Sequence, residues 1–199
     1  LNVVIPIGVT LSEERDFGKL LDRILDEAMA FCHAGAGVLH LRTEDDHLRV
    51  VTARYNEGEG REDAVKAHLE LPPVPLRREK QGDEPEHCPL VACVAWADQA
   101  VNIPDTYDQD QFDFSTVHRL DQETGYRSVS ILALPLRSGQ REVIGVIQLI
   151  NAKDPQTGAT IPFDTHLEQM MTSLATLAGV ALENYRRQER LERQIEVLR

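Results

Sequence analysis

The sequence contains little of what marks secreted scaffolds and membrane proteins. Among 199 residues it has three cysteines, Cys32, Cys88 and Cys93, an odd number that cannot all pair within the chain. Free cysteines are typical of a reducing compartment, so we expect three unpaired thiols in a cytoplasmic protein. No apolar run approaches the roughly 18 residues of a membrane-spanning helix, and no signal-peptide pattern opens the chain.

Basic charge is scarce as well. The chain has 33 acidic side chains against 21 lysines and arginines, a formal net charge of −12. Such a chain repels phosphate backbones, which argues against nucleic acid as a partner. The arginines near the C-terminus alternate with glutamates and form no net basic patch.

Motifs of catalysis and of metal binding are also missing. The sequence has no glycine-rich phosphate loop, no G-x-S-x-G and no H-E-x-x-H. Cys88 and Cys93 are five residues apart, which is not the C-x-x-C spacing of a metal site. No lysine or arginine stands beside either one to lower the pKa of its thiol, so we interpret both as buried structural cysteines. We therefore expect no enzyme activity, no metal and no cofactor.

The first half of the chain predicts a helix followed by a hairpin and a long loop. A capping box at Thr10–Glu13 precedes an amphipathic helix that we expect to end near Gly35–Gly37. Two strands then follow, Gly37–Thr43 and His47–Tyr55, joined by a short acidic turn. Residues 56–89, rich in glycine and proline, predict a long loop with a short helix near Asp63–Leu69.

The second half predicts mostly hairpin strands. We expect a helix at Leu90–Ala97, a strand at Ala100–Ile103, a loop with a helical turn at Asp105–Gly125, and strands at Ser128–Leu136 and Val143–Ile150. Because hairpins dominate, we predict an α/β protein of the α+β kind. Its sheet should be mainly antiparallel, with the helices of both chain ends packed on it.

One long helix, Asp164–Arg199, ends the sequence. Its first half has a broad apolar face, whereas its second half is charged except for a seam with a 3.5-residue period. Leu191, Ile195 and Leu198 lie on that seam, so we predict a coiled-coil homodimer. The chain starts at Leu1 and stops within the seam. We expect a sensory domain at 1–185 and a coiled-coil linker at 186–199 that leads to an output domain.

Three stretches resemble a known family, the GAF domains of bacterial and phosphodiesterase sensory proteins. They are Val101–Tyr107 with Phe112–Phe114, Asp121–Ser130 with Leu134-Pro135, and Val143–Lys153 followed by Phe163, Glu168 and Ala181–Asn184. The resemblance implies end helices on one face of the sheet and ligand-pocket loops on the other. It also implies a bacterial-type signalling domain that senses a small molecule and passes the ligand state through a dimeric C-terminal helix. The alternatives are a GAF-type free methionine sulfoxide reductase and a dimerisation module without ligand.

The family's cyclic-nucleotide members carry an Asn-Lys-Phe-Asp-Glu signature. Asn151, Lys153, Phe163 and Glu168 match it, but Leu167 stands where the signature has its aspartate. Since that lysine and aspartate are thought to pair and support the pocket, the resemblance implies weak or absent cyclic-nucleotide binding. Asp164 is close enough in sequence to replace the missing partner.

The segment Asp105–Tyr126, before the fourth predicted strand, offers the candidate ligand contacts. It combines aromatic and polar side chains in an irregular stretch, which suits a ligand lid. With one residue of the preceding helix, the candidates are Cys93, Asp105, Phe112, Phe114, His118, Asp121, Thr124 and Tyr126. The alternative is that Phe112 and Phe114 only anchor the loop on the sheet.

Overall fold

One antiparallel sheet forms the centre of the protein. The computed structural model describes residues 16–56, 61–76 and 88–197. The described strands are β1 Ala34–Arg42, β2 His47–Tyr55, β3 Val74–Pro75, β4 Val101–Ile103, β5 Ile131–Arg137, β6 Val143–Lys153 and β7 Thr160–Ile161. The helices are α1 Phe17–Cys32, α2 Arg61–Leu69, α3 Leu90–Ala97, α4 Ser115–Thr124 and α5 Thr165–Val197.

The strands follow the order β3-β2-β1-β6-β5-β4, with β7 added on β6. Every pairing between these described strands is antiparallel, as the hairpin pattern predicts. β1 and β6 are central, and most of their side chains are apolar on both faces because both faces are covered. The predicted fold class is therefore confirmed.

Helices α1 and α5 cover one face of the sheet. Leu25 and Met29 of α1 meet Leu39 and Ile147 of the sheet in a core of fully buried aliphatic side chains. α1 passes so close to β1 that a Cβ on Gly37 would lie 2.7 Å from Leu25 Cδ1. This face of the sheet is a closed hydrophobic interior.

Two expectations about α1 need correction. The Thr10–Glu13 capping box lies outside the described residues, and the helix begins after Asp16, whose side chain accepts the N–H of Lys19 at 2.9 Å. The Gly35–Gly37 stretch does not stop the helix, because it belongs to β1. The stop is His33, which adopts the left-handed conformation at φ 50°.

The segment predicted as a loop before β5 contains a helix, α4. Only Leu120 of α4 is buried, so the helix lacks the apolar stripe by which a sequence pattern would identify it. β5 consequently begins at Ile131, three residues later than predicted. Residues 128–130 still contact neighbouring segments through hydrogen bonds to the Thr106 and Asn151 regions.

α5 is one continuous helix, as predicted, with two different halves. Leu174, Ala178 and Leu182 are buried against the sheet. Farther along, Leu191 and Ile195 are 52% and 56% exposed, while Leu198 lies outside the described residues. In the described part of the chain, no helix combines the length and apolar character needed to cross a membrane.

Candidate functional site

The opposite face of the sheet holds a cavity of about 120 Å³. Its floor is the central pair of strands. Its walls come from α2 with the residues that follow it, from α3 with Pro89, and from α4 with Asp113 and Phe114 just before it. The described lining residues are His40, His68, Leu71, Val74, Pro89, Leu90, Val91, Asp113, Phe114, Thr116, Val117, Leu120 and Gln148. This is the location that the sequence predicts for a pocket, between the sheet and the Leu90–Ala97 and Asp105–Tyr126 segments.

Strand register puts two polar side chains on the cavity floor. His40 of β1 pairs with Val146, and Gln148 of β6 pairs with Val38. Because side chains alternate between faces, His40 and Gln148 are diagonal neighbours on the same face. They are only 5% and 9% exposed, and polar groups buried this deeply normally have hydrogen-bond partners.

One ring nitrogen of His40 lacks such a partner. Its Nδ1 is buried and makes no hydrogen bond to the described part of the protein. Burial lowers the pKa of His40 to about 3, with repulsion from His68 adding to the shift and a hydrogen bond to the backbone of Val146 opposing it. The imidazole is therefore neutral at physiological pH, and its Nδ1 is an unpartnered polar atom buried in the cavity floor.

His68 enters the cavity from α2. Its Nδ1 lies 3.0 Å from the carbonyl oxygen of Ala64 and 3.2 Å from the Tyr55 hydroxyl. Burial lowers the pKa of His68, although the Ala64 carbonyl and Asp121 oppose the shift. With Nδ1–H donating to Ala64, the other ring nitrogen of neutral His68 is an acceptor.

Of the eight predicted contact residues, only Phe114 lines the cavity. Phe112 packs beside it, with ring centroids 6.4 Å apart. The Thr124 hydroxyl donates to the carbonyl of Leu120, and Tyr126 packs edge-on against Tyr55 at 4.7 Å. These residues support the walls behind the cavity surface.

Asp121 organises the outer part of the same region. It accepts the Tyr107 hydroxyl at 2.7 Å and both the N–H and the hydroxyl of Ser128 at 2.8 Å. The Tyr107 ring stacks on His118 at 4.1 Å. Asp105 accepts the N–H of Tyr107 at 2.9 Å. Asp105, His118 and Asp121 thus hold the segment before β5 in place.

The cysteines differ from expectation. The structure pairs Cys88 with Cys93, with Cα atoms 6.2 Å apart, so these two are not free. Cys88 directly precedes α3 and Cys93 lies one turn inside it, which brings the two side chains together. The predicted free thiol remains at Cys32, which is buried and whose pKa is raised to about 12 by that burial.

The signature residues occupy structural positions. Asn151 adopts φ 58°, accepts the N–H of Val129 at 2.7 Å and donates to the carbonyl of Arg127 at 2.8 Å. Phe163 is buried in the core under α1 and α5. Glu168 lies partly buried in the first turn of α5. The two Asn151 hydrogen bonds join the end of β6 to the segment just before β5.

Lys153 does not pair with the acid that could have replaced the signature aspartate. Its Nζ donates to the Thr160 hydroxyl at 2.9 Å. Asp164 instead accepts the N–H of His166 at 2.6 Å at the start of α5. The suggested Lys153–Asp164 pair is therefore wrong, because Asp164 caps the helix.

Sequence reasoning missed His40, His68 and Gln148. A signal was present for two of them. His40 interrupts the apolar run Val38–Leu41, and Gln148 interrupts Val146–Ile150, so each places one polar side chain in a strand buried on both faces. His68 had no comparable signal, since it lies on a short helix of polar composition.

Larger hollows lie elsewhere on the described surface. Their volumes are about 470, 440 and 430 Å³. The 120 Å³ cavity differs from them in its position against the central strands, where it holds His40 and Gln148, both more than nine-tenths buried. Among the described residues, no group of three or more His, Cys, Asp or Glu side chains is arranged to hold a metal ion.

Comparison with known proteins identifies the fold. The GAF domain profile matches residues 16–182. The chain belongs to the GAF domain family. GAF domains are regulatory, small-molecule-binding domains of signalling proteins and are generally not catalytic themselves.

One curated relative of this GAF domain is the cGMP-specific 3',5'-cyclic phosphodiesterase of Drosophila pseudoobscura pseudoobscura. It is 25% identical over 178 residues, which cover 87% of this chain and 14% of that protein. The chain thus spans about one seventh of that relative's length.

Two solved structures share the fold. The GAF domain of a phosphoenolpyruvate-protein phosphotransferase from Coxiella burnetii superimposes with a TM-score of 0.67 at 12% identity, covering 94% of this chain and 95% of that one. The free methionine-R-sulfoxide reductase of Neisseria meningitidis, solved with its substrate, has a TM-score of 0.62 at 13% identity, covering 93% and 89%. At these identities the likeness is one of fold alone.

Proposed function

We propose that this GAF domain is a non-catalytic sensor whose small-molecule ligand occupies the cavity above β1 and β6. The observation that carries the proposal is the unpartnered Nδ1 of His40, buried on the cavity floor beside the Gln148 amide. A buried polar atom without a partner costs stability. A ligand that pairs with it recovers that cost, which makes the site specific for molecules of matching shape.

The output leaves through α5. This helix packs on the face of the sheet opposite the cavity, and its distal half presents Leu191 and Ile195 to a second copy. The domain acts as part of a longer cytoplasmic signalling protein with an output domain after residue 199. Its match to one seventh of a phosphodiesterase supports a multidomain setting; a bacterial source stays a prediction.

The first test is mass spectrometry of natively purified protein, followed by a thermal-shift screen with small metabolites. A bound molecule should raise the melting temperature, because it binds only the folded state. Val117→Phe adds bulk to the α4 wall and should abolish the shift. Gln122→Phe puts the same side chain on an exposed position of the same helix and should preserve it.

The Val117→Phe protein should have an unchanged far-ultraviolet circular dichroism spectrum. If the bound molecule still raises its melting temperature, the ligand lies elsewhere. That result would contradict the proposal. A screen and a native spectrum that both show no ligand would favour a dimerisation module without ligand.

Cyclic nucleotides should bind weakly or not at all. Leu167 replaces the signature aspartate, and Lys153 is engaged with Thr160. Titration calorimetry with cyclic AMP and cyclic GMP tests this expectation. A dissociation constant below about 1 µM, or a binding free energy beyond about −8 kcal/mol, would contradict it.

A second candidate is reduction of free methionine sulfoxide, favoured by the Cys88–Cys93 pair beside the cavity residues Pro89–Val91. One thiol would attack the sulfoxide sulfur, releasing methionine and leaving a sulfenic acid. The second thiol would then form the disulfide and release water, and an external dithiol would reduce it again. Methionine formation with dithiothreitol, lost in Cys88→Ser and Cys93→Ser, would establish this function and overturn the non-catalytic one.

A further inference from the structure

We propose that the cavity selects an uncharged, planar ligand of one ring that carries a hydrogen-bond donor and acceptor side by side, such as an aryl amide or a cyclic amide. This inference rests on the proposed function and adds the chemical class of the ligand. It follows from the size of the cavity, from the polar atoms on its surface, and from the charge of its lining.

Size limits the ligand to one ring. The cavity measures about 120 Å³ and is partly open. Since an apolar cavity of roughly 150 Å³ binds benzene, it holds one ring at most, and the rest of the ligand lies at the opening. The described lining is largely hydrophobic and includes an aromatic ring, as suits a flat apolar molecule. The apolar members are Leu71, Val74, Leu90, Val91, Phe114, Val117 and Leu120.

The polar atoms on the surface match an amide. The side-chain amide of Gln148, a residue that is 9% exposed, has a donor and an acceptor and belongs to the cavity lining. A planar amide can therefore pair with it through two parallel hydrogen bonds. His68 adds an acceptor from the wall, since its Nδ1 faces the Ala64 carbonyl. His40 adds the unpartnered Nδ1.

The charge of the lining disfavours an anion. Among the described lining residues none is lysine or arginine, and Asp113 is the one carboxylate. Its Oδ1 accepts the N–H of Ser115 at 2.9 Å. The first turn of α4, where an anion could otherwise bind backbone N–H groups, is thus already capped by a negative group. A buried anion would lack the compensation it needs.

A cation is disfavoured for a different reason. His40 and His68 are both held neutral by burial, which lowers their pKa values. A cationic ligand would have to leave water for a floor of neutral imidazole and amide groups, with Asp113 at the edge of the site as its one opposite charge. The floor therefore favours a neutral ligand over either ion.

Three probes of nearly identical shape separate these cases: benzamide, benzoate and benzamidinium. Each is a single ring with a planar three-atom substituent, and at pH 7 they are neutral, anionic and cationic. In a nuclear magnetic resonance titration of the full chain, benzamide should bind at least tenfold more tightly than either ion. The chemical-shift changes caused by the ligand should be largest at His40, Gln148 and α4.

Two variants of Gln148 test the amide contact. Gln148→Leu keeps the volume and removes both hydrogen bonds, so benzamide affinity should fall at least tenfold while the melting temperature stays the same or rises. Gln148→Glu is nearly isosteric and adds a carboxylate. Gln148→Glu should change the order of the three binding affinities, so that benzamidinium binds most tightly.

The outcomes distinguish this inference from the proposed function. If benzoate binds as tightly as benzamide and Val117→Phe abolishes both, the cavity is a ligand site and the inferred class is wrong. The cavity is also a ligand site, and only the inferred ligand class is wrong, if none of the probes binds but a retained metabolite is lost in the Val117→Phe variant. If Val117→Phe leaves benzamide binding unchanged, both the inference and the proposed site are wrong.

Discussion

The two faces of the sheet are built from the same strands but differ in what covers them. On one face, two long helices press an uninterrupted set of aliphatic side chains against β1 and β6. On the other, three short helices leave a cavity and two buried polar side chains, His40 and Gln148. Adjacent residues of one strand therefore have different surroundings, one in a closed core and the other on the lining of a cavity.

The largest expected effect comes from neighbouring substitutions in β6. Ile147 points into the closed face and is 1% exposed. Ile147→Ala should lower the free energy of unfolding by about 2–5 kcal/mol, because it leaves a cavity in a packed core. Gln148→Leu, one residue on, should change it by less than about 1 kcal/mol. Urea unfolding of both variants gives the comparison, and similar losses would mean that the faces do not differ as described.

Acid should weaken the protein through the cavity face. The pKa of His40 is about 3 in the folded protein and about 6.5 in an unfolded chain. The lowered pKa costs no stability above pH 6.5, and stability is lost as the pH falls from there toward 3, because the unfolded chain takes up the proton first. Between pH 7 and 5 this amounts to about 2 kcal/mol.

His40→Leu should remove that part of the acid sensitivity. Unfolding curves at pH 7, 6 and 5 measure it. The lowered pKa of His68 acts in the same direction and remains in the variant. Asp45 and Asp154, whose carboxyl pKa values are also lowered, act only below pH 3.8. Parallel pH curves for wild type and variant would show that His40 is not held neutral by burial.

A smaller effect is expected behind the cavity wall. Asp121→Ala leaves the Tyr107 hydroxyl and the Ser128 groups without their acceptor. It should cost about 1–3 kcal/mol of stability, while ligand affinity changes little because Asp121 does not line the cavity. Thermal melts and benzamide titrations separate the two quantities. Tyr107→Phe removes only one of these hydrogen bonds and should therefore lower the stability by less. If Asp121→Ala lowers the ligand affinity by more than it lowers the stability, Asp121 belongs to the ligand site.

The smallest effect on the domain itself should come from the distal half of α5. Leu191→Glu with Ile195→Glu should leave the unfolding of the monomer unchanged within about 0.5 kcal/mol, because both side chains are exposed. The same pair should shift sedimentation toward monomer, since each leucine or isoleucine buried in a dimer contributes about 1.5–3 kcal/mol. Wild-type protein that is monomeric at high micromolar concentration would contradict the coiled coil.

Much of the fold can be predicted from the pattern of apolar residues in the sequence. Alternation and apolar runs locate β2 and β6, and the apolar periodicity of α1 and α5 places the end helices on one face. α4 was missed because only Leu120 is buried on it. Its position depends on Asp121, which bonds to Ser128 seven residues later, and such a contact has no periodic signal.

The cavity was predicted in location only. Aromatic and polar residues between β4 and β5 indicated the side of the sheet on which it lies, but most of them support the wall from behind. The residues on the floor come from β1 and β6, and they meet only through strand register. Since His40 and Gln148 are 108 positions apart in the chain, no local pattern could reveal that they share a surface.

The contact between α5 and β5 limits how this domain can move. Gly179 lies so close to the backbone of Arg137 that any added Cβ would collide with it. Arg137 in turn donates to the side chain and carbonyl of Asp98, at 2.6 and 2.7 Å, where α3 ends. With backbone against backbone, α5 has no room to roll about its own axis or to slide by a turn. α5 must therefore tilt as a rigid body together with β5. A displacement of α3 by a fraction of an ångström would then become larger toward the distal end of α5.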